Sequence, residues 1–353
     1  MSAMPLLPVF GHDALRARLG ATHARGALPS SLLLHGARGT GKQRLALWLG
    51  QLLLCTGVDD GPCGRCQGCS YVERLQHPDL YWFFPVPRPD GGDRSAEEVL
   101  ADAAAAMRER ASTGAWGPSS GMEAHFVDTV RAMVKAAAWK PKLGARKVIV
   151  IGDAERMVVQ AGADQAANAL LKLLEEPQPD TTLVLTSSEP GQLLPTIRSR
   201  VVALRVPRVG DDAVAAFAAA AREAGVAIAP GAVAKAAGAP GALVASTAET
   251  GSEGRVDAWL AATRGGDAAR FVAVLAEKPV AARGAFADAL DGLSVRLHGR
   301  AREAARAGHP DAARLARAQD AIDAAQARAE GNVNPALVTA ELLRQLAAAG
   351  VRG

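Results

Sequence analysis

The segment Ser31 to Leu47, SLLLHGARGTGKQRLAL, contains most of the residues that a nucleotide-phosphate site needs. An apolar run predicts a buried strand, and the glycines after it allow backbone N–H groups to approach phosphate oxygens where a helix begins. Lys42 then adds a positive charge for the terminal phosphates. Glycines and a lysine also occur in ordinary turns, which is the alternative interpretation. The predicted nucleotide-binding residues are Gly36, Gly39, Thr40, Gly41, Lys42, Gln43 and Asp153.

Gln43 stands where a phosphate loop needs a serine or threonine, whose hydroxyl binds Mg²⁺. Its side chain is longer and offers an amide oxygen in place of the short hydroxyl. The sequence therefore predicts that ATP or ADP binding is possible, whereas binding of Mg²⁺ and hydrolysis are compromised.

All four cysteines of the chain fall within the segment CTGVDDGPCGRCQGC, in the pattern C-x7-C-x2-C-x2-C. Two-residue spacers let thiolates converge on one tetrahedral ion, and glycines between them permit tight turns. A shell of four thiolates leaves no position for an activated water, so we expect a structural Zn²⁺. A pair of disulfides is the alternative, but nothing in the sequence signals export. The predicted ligands are Cys55, Cys63, Cys66 and Cys69.

Asp153 follows the apolar run KVIVI, which predicts a buried strand that delivers this carboxylate beside the phosphates. Capping of the next helix is the alternative role for Asp153. In an active ATPase a second acid commonly follows directly and polarises the attacking water, but Ala154 stands there. Glu155 comes one residue later, and since consecutive side chains point differently, we expect that it does not substitute.

The composition indicates a globular protein of two or three domains, with 353 residues of which 49% are apolar. Abundant alanine and only 4% aromatic residues favour a helix-rich architecture. The net charge of +4 permits anionic partners without requiring them. No apolar run is long enough to span a membrane, and the first residues lack the pattern of an export signal, so a cytoplasmic location is expected.

Strands and helices must alternate to position these residues, which predicts an α/β fold. Residues 85–122, rich in Pro, Gly, Ser and charge, are interpreted as a surface insertion around one helix at 96–110. Polar residues at 186–188 follow a predicted strand, where they could contact a γ-phosphate or cap a turn. The other predicted strands cover residues 32–34, 80–84, 147–151, 182–186 and 201–206, and the other main helices cover 11–26, 126–139 and 164–176.

The order of these motifs resembles the AAA+ clamp-loader ATPase family. The similar segments are GARGTGK, the cysteine pattern, KVIVIGDAERM, QAANALLKLLEEP, LPTIRSR and, near the carboxyl end, GNVNPALVTAELLRQL, where Asn334 would cap the closing helix. The resemblance implies a RecA-like AAA+ P-loop domain at 1–207, with a zinc module at about 55–69 and an insertion at about 85–122. It also implies a small helical lid at 208–250 and an all-α collar at 251–353.

The resemblance gives Arg200 the role of an arginine finger that acts in trans on the ATP site of a neighbouring subunit. Val201 replaces the cysteine that usually ends this motif, but the arginine is kept. Arg200 could instead pair with a local carboxylate. In the lid motif GAPGAL an arginine often follows the second glycine, and here Ala242 takes its place. A further nucleotide contact is therefore expected to be missing.

The changes at Gln43, Ala154 and Ala242 predict a stator that assists its neighbour and has little or no ATPase activity of its own. Its implied partners are the delta and tau/gamma subunits in a pentameric ring and, through that complex, the sliding clamp and primed DNA. One alternative is an active ATPase of the tau/gamma type, although its loop normally ends in serine or threonine. Another is a zinc-containing nucleic-acid-binding module, which predicts salt-sensitive DNA binding by the isolated chain.

Overall fold

The computed structural model describes residues 6–57, 61–87, 94–113, 116, 123–157, 164–228, 231–245, 250–276, 283–330 and 334–351. The chain forms two compact units, one made of residues 1–119 and 123–247 and the other of residues 120–122 and 248–353. No helix in the described part is both long and apolar enough to cross a membrane.

The first unit is built on a five-stranded sheet with the order β2-β3-β4-β1-β5, in which all the pairings are parallel. The predicted α/β fold is therefore confirmed, with strand bounds within one or two residues of those expected. The strands are β1 (Ser31–His35), β2 (Leu80–Phe83), β3 (Lys147–Ile151), β4 (Thr181–Ser187) and β5 (Val202–Arg205).

Alternate residues of the buried strands enter two hydrophobic clusters, one on each face of the sheet. Leu34 and Val150 join the cluster that contains α2, whereas Leu33 and Ile151 join the cluster that contains α5 and α6. A parallel sheet covered on both faces explains why these strands are continuous apolar runs. The helices of this unit are α1 (Asp13–Ala24), α2 (Lys42–Leu54), α3 (Gln67–Glu73), α4 (Ala96–Thr113), α5 (Val127–Ala138), α6 (Asp164–Glu175), α7 (Pro195–Arg198), α8 (Asp211–Glu223), α9 (Ala232–Lys235) and α10 (Gly241–Ala245).

Helix α4 is the helix that the sequence predicts at 96–110, and the assignment of residues 85–122 as an insertion stays a prediction. Val99 is buried in one cluster, and Met107 and Ala111 are buried in the other. The helix therefore packs at the β2 edge of the sheet and contributes to both cores. Residues 88–93, 114–115 and 117–122 of this segment lie outside the described part.

The elements assigned in the second unit are helices: α11 (Thr250–Arg264), α12 (Gly266–Leu275), α13 (Arg283–Arg306), α14 (Asp311–Glu330) and α15 (Pro335–Ala348). They enclose a core in which the rings of Trp259 and Phe286 meet edge to face, with their centroids 5.6 Å apart. Asn334 caps α15 as predicted, because its Oδ1 accepts from the backbone N–H of Ala336 at 2.9 Å.

The predicted lid lies within the first unit up to residue 247. Helices α8, α9 and α10 share a small buried cluster that includes Val214, Ala218 and Leu243. The division of the chain into three domains stays a prediction.

Candidate nucleotide-phosphate site and cysteine cluster

The phosphate loop joins β1 to α2 at the carboxyl edge of the sheet. Because β3, β4 and β1 are neighbours, this edge brings together the loop, Asp153 and Ser188. Gly39 and Gly41 have φ values of 77° and 87°, which favour glycine, and α2 begins at Lys42. The loop thus has the position and backbone shape that the sequence predicts.

Lys42 is buried and bound to groups of its own chain. Its Nζ donates to the carbonyl oxygens of Gly36 and Ala37, each at 2.9 Å, and to Ser188 Oγ at 3.0 Å. An ammonium has three N–H donors, so these contacts use its hydrogen-bonding capacity. Burial lowers the pKa of Lys42 to about 8, an effect that the carboxylates of Asp153 and Glu155 oppose.

Gln43 contacts the sheet rather than standing free at the loop. Its Oε1 accepts a hydrogen bond from Trp82 Nε1 on β2 at 3.1 Å. The amide also packs on Gly152 at the end of β3, since a Cβ added there would lie 2.7 Å from Gln43 Oε1. The oxygen that would have to replace a Mg²⁺-binding hydroxyl is therefore engaged, and this residue does not fit a Mg²⁺ site.

Thr40 stabilises the turn of the loop. Its Oγ1 donates to Ala37 O at 2.9 Å, and its carbonyl oxygen lies 2.8 Å from His12 Nε2. A carbonyl only accepts, so this ring nitrogen must carry the proton. His12 is a loop contact that sequence reasoning missed, and no motif marks it.

The lid motif touches the phosphate loop through its backbone. The N–H of Gly241 donates to Gly39 O at 2.8 Å, and a Cβ added to Gly241 would lie 2.9 Å from Gly39 Cα. Only glycine allows this approach. Ala242 is next, and its methyl side chain offers no charge to a phosphate.

Asp153 lies at the carboxyl end of β3 with a φ of 47°. Its backbone N–H donates to Thr186 Oγ1 at 3.0 Å, and its side chain makes no capping bond to the short 3₁₀ helix Ala154–Arg156. The capping alternative is therefore not supported. Thr186, one of the polar residues noted at the end of β4, acts as an acceptor that fixes this corner.

Glu155 lies close to the phosphate loop, and whether it substitutes for the acid missing at Ala154 stays a prediction. Ala154 turns into the core, and the 3₁₀ turn brings the carboxylate of Glu155 to Ser188, whose N–H donates to Glu155 Oε1 at 2.8 Å. Ser188 also accepts from Lys42, so it links the lysine to this acid. Burial raises the pKa of Glu155, with a further contribution from Asp153. The prediction assumed extended backbone, whereas the chain leaves the strand at Asp153.

Two further residues near Asp153 have no sequence motif. His125 is buried, and its Nε2 lies 2.7 Å from the carbonyl oxygen of Gly152, while burial lowers its pKa to about 4. Arg110 of α4 lies over the rings of Phe84 and Trp82, 3.4 Å and 4.8 Å from their centroids. Burial lowers the pKa of Arg110 to about 10, opposed chiefly by Asp153. The sequence feature that could have indicated the position of Arg110 is the grouping of Trp82 and Phe84, since aromatic residues are rare in this chain.

The four cysteines are free thiols whose sulfur atoms all lie within 4.8 Å of one another. Tetrahedral Zn²⁺ with bonds of about 2.3 Å places its sulfurs about 3.8 Å apart, and Cys55 Sγ and Cys66 Sγ are 3.9 Å apart. The predicted ligand set is therefore brought together, and its geometry fits one Zn²⁺. The disulfide alternative is not supported.

Backbone N–H groups point at two of these sulfurs. Cys55 Sγ accepts from Gly57 N and Cys63 N at 3.2 and 3.3 Å, and Cys66 Sγ accepts from Cys69 N at 3.4 Å. Burial by itself would raise the pKa of Cys66, but hydrogen bonds led by the Cys69 N–H lower it to about 5. Such bonds favour the thiolate that a metal requires.

Arg200 makes local contacts in the single chain. Its guanidinium pairs with Glu175 at the end of α6, with Nε 2.8 Å from Oε1, and its NH1 donates to Thr196 O at 2.8 Å. Both side chains of the ion pair are partly exposed, so the pair is a weak constraint. The local alternative is observed, and the role in trans stays a prediction.

A parallel sheet that carries a glycine-rich loop, a lysine and two carboxylates at its carboxyl edge defines the P-loop class of nucleotide-binding folds. Residues 11–210 match the family model described as DNA polymerase III, delta subunit. Because this match covers more than half of the chain, the chain belongs to that family.

Curated relatives agree with this assignment. DNA polymerase III subunit delta' of Pseudomonas aeruginosa is 35% identical over 201 residues, which is 56% of this chain and 48% of that protein. The subunit delta' of Bacillus subtilis is 31% identical over 173 residues, 49% of this chain and 40% of that protein. DNA polymerase III subunit gamma/tau of Mycobacterium tuberculosis is 30% identical over 193 residues, 54% of this chain and 27% of that protein.

The chain thus spans between 27 and 48% of the length of these curated relatives. Within the clamp-loader family, the motifs predict the closest resemblance to the delta-prime subunit. The family match and the relatives of that name confirm this prediction.

Proposed function

We propose that this chain is a delta-prime-like subunit of the DNA polymerase III clamp loader. It would join the delta and tau/gamma subunits in an AAA+ pentameric ring that loads the sliding clamp onto primed DNA during replication. The family match, the relatives and the order of the motifs support this proposal. The helices of the second unit would form the collar, and the cysteine cluster would hold a structural Zn²⁺.

Within that ring the chain is a stator that does not hydrolyse ATP. The observation that carries this proposal is the hydrogen bond from Trp82 Nε1 to Gln43 Oε1 at 3.1 Å. It engages the side chain that stands at the Mg²⁺ position, and a metal ion supplies much of the charge stabilisation in phosphoryl transfer. To contact ATP or ADP, Lys42 would have to exchange one of its hydrogen bonds to Gly36, Ala37 or Ser188, and it would do so without the metal.

Arg200 is the residue through which the stator acts on ATP hydrolysis in a neighbouring subunit. It pairs with Glu175 in the single chain, and the weakness of an exposed pair allows a neighbour's triphosphate to compete for the guanidinium. An arginine in trans is worth roughly 10³- to 10⁵-fold in phosphoryl transfer at the site it serves. The turnover that depends on this chain should therefore reside in an adjacent subunit.

Three measurements test the proposal. Arg200→Ala in the reconstituted clamp loader should remove the share of ATP turnover that belongs to the neighbouring site, whereas Arg198→Ala, an exposed arginine of the same segment, should leave it unchanged. An unaltered rate with Arg200→Ala would remove the role in trans.

Phosphate release by the purified wild-type chain, abolished by Lys42→Ala, would favour the tau/gamma-type ATPase. Tight and salt-sensitive DNA binding by the isolated chain would favour the nucleic-acid-binding module.

A further inference from the structure

A cavity lies between α4 and the outer edge of β2. Its volume is about 430 Å³, which falls within the range of about 300 to 1,000 Å³ that ligand pockets occupy. Helix α4 lines it through positions 100, 103, 104, 107 and 108, a spacing that places them on one side of a helix. None of the predicted nucleotide or zinc ligands lines this cavity.

The interior of the cavity is apolar and crosses the edge of the sheet. Leu80 and Met107 belong to the hydrophobic cluster on one face of the sheet, whereas Leu100 and Ala103 pack on the cluster of the other face. Helix α4 thus bridges the two clusters, and the small side chains of Ala103 and Ala104 leave the space between helix and strand open. A bulky apolar side chain from another molecule would fill that space.

Strand β2 offers backbone groups at this edge, because it pairs with β3 on one side only. Asp79 O accepts from Val148 N at 2.8 Å, and Phe83 O accepts from Gly152 N at 2.7 Å. In a parallel ladder the alternate residue, Trp82, therefore directs its N–H away from β3. Trp82 is 1% exposed, and no described residue accepts from this N–H. Because a buried backbone donor without an acceptor is costly, an extended peptide beside β2 would be stabilising.

Three polar side chains at the cavity are hydrogen-bond donors. His77 is 4% exposed, and its Nδ1 accepts from Asp79 N at 3.1 Å, so the proton of the neutral ring lies on Nε2. Among the described residues Nε2 has no acceptor. Burial raises the pKa of Tyr81, which keeps its hydroxyl protonated, and Arg108 adds a positive charge at the exposed rim. The nearby carboxylate of Asp79 already accepts from the N–H groups of residues 142–144. These donors favour an occupant with a carboxylate.

We propose that this cavity binds an extended segment of a partner protein that carries a bulky apolar residue next to an aspartate or glutamate. The apolar side chain fills the space beside Ala103 and Ala104, and the carboxylate meets Arg108 at the rim. The backbone of the segment lies along β2 and accepts from the N–H of Trp82. A peptide is the class of ligand that uses the strand edge, the apolar space and the donors together. This role goes beyond the proposed stator function and does not depend on it.

The test selects phage-displayed random heptapeptides on the full chain and measures the enriched peptides by fluorescence polarisation. Ala104→Trp fills the cavity, and Ala105→Trp is the matched control, since position 105 of the same helix is exposed and does not line it. Arg108→Glu reverses the charge at the rim, and Arg18→Glu, at an exposed position outside the cavity, makes the same change in net charge. Ala103→Leu fills the cavity with less bulk, and thermal unfolding identifies which variants are folded.

We expect the enriched peptides to share a bulky apolar residue beside an acidic one. Ala104→Trp should weaken their binding by about 10- to 100-fold, the loss expected when one apolar side chain can no longer be buried. Arg108→Glu should weaken it by about fivefold, and this difference should shrink in about 0.5 M NaCl, because salt screens exposed charges. The two control variants should bind as the wild type does.

Peptides that bind the folded Ala104→Trp or Ala103→Leu chain as tightly as the wild type would overturn the proposal, and so would a selection that enriches no peptide. Enriched peptides without an acidic residue, or with equal affinity for Arg108→Glu, would overturn the role of the carboxylate. None of these results bears on the stator function, which fails instead if the wild-type chain itself turns over ATP.

Discussion

Helix α2 has a different kind of site at each of its ends. It begins at Lys42 in the phosphate loop and ends one residue before Cys55, the first ligand of the cysteine cluster. The cluster is complete, since its four ligands come from one segment and their sulfurs converge. The phosphate site is assembled from β1, β3, β4 and α10, and one of its essential side chains is exchanged.

The comparison shows that local and assembled sites fail in different ways. A cluster with ligands two residues apart depends on a few turns, so removing one ligand removes the metal. The assembled site retains its backbone even with Gln43 in place, because loop, strand ends and lid are held by separate contacts. Its chemistry can therefore be lost while its shape remains.

The largest effect is expected in the cluster. Cys69→Ser should lower the bound zinc from about one ion per chain to none, because a buried ligand is removed. Since structural zinc contributes on the order of 10 kcal/mol in small isolated modules, a clear fall in the melting temperature should follow. Metal content by atomic emission and thermal unfolding check this. The exposed Arg65→Ala keeps all four thiols and should retain the zinc, and retention of zinc by Cys69→Ser would contradict the ligand set.

An intermediate effect is expected where α4 meets the phosphate site. Arg110→Leu should lower the free energy of unfolding by roughly 2 kcal/mol, since the contacts of its guanidinium with Phe84 and Trp82 are buried. The same change at the exposed Arg108 should alter it by less than about 0.5 kcal/mol. Urea unfolding measures both variants. Equal effects at the two positions would show that α4 is held by hydrophobic packing alone.

A pH-dependent effect of similar size is expected at His125. Burial lowers its pKa from 6.5 to about 4, so the unfolded chain binds a proton more readily than the folded one between these values. The contribution of His125 to the free energy of unfolding is fully present above pH 6.5 and is lost as the pH falls towards 4. The loss between pH 7 and pH 5 is roughly 2 kcal/mol.

His125→Gln should remove that part of the acid sensitivity, because the glutamine amide nitrogen lies near the position of Nε2 and can still donate to the carbonyl of Gly152 without titrating. Urea unfolding of both forms at pH 7 and pH 5 gives the difference. If the two chains lose the same stability on acidification, His125 is not the group responsible, and other buried groups must be.

Much of the fold could be predicted because the central strands β1, β3 and β4 are buried on both faces. In KVIVI and in the leucines of β1, the residues that face either side of the sheet are apolar. Such continuous apolar runs predict buried strands without any knowledge of the tertiary structure. Helix α4 was predicted, but its contacts with both cores were not, because its few buried residues are spaced among charged ones. The convergence of the four cysteines was predictable, since they come from one short segment, and their binding of Zn²⁺ stays a prediction.

The sequence by itself determined the class of fold, the location of the phosphate loop and the grouping of the four cysteines, because each depends on residue types at short spacing. The tertiary structure alone decided the partners of side chains that meet across strands. It paired Gln43 with Trp82, placed Glu155 beside Lys42 and brought Arg110 close to Asp153. These contacts join residues far apart in the chain, and the order of strands in the sheet, which no local pattern encodes, sets which of them meet.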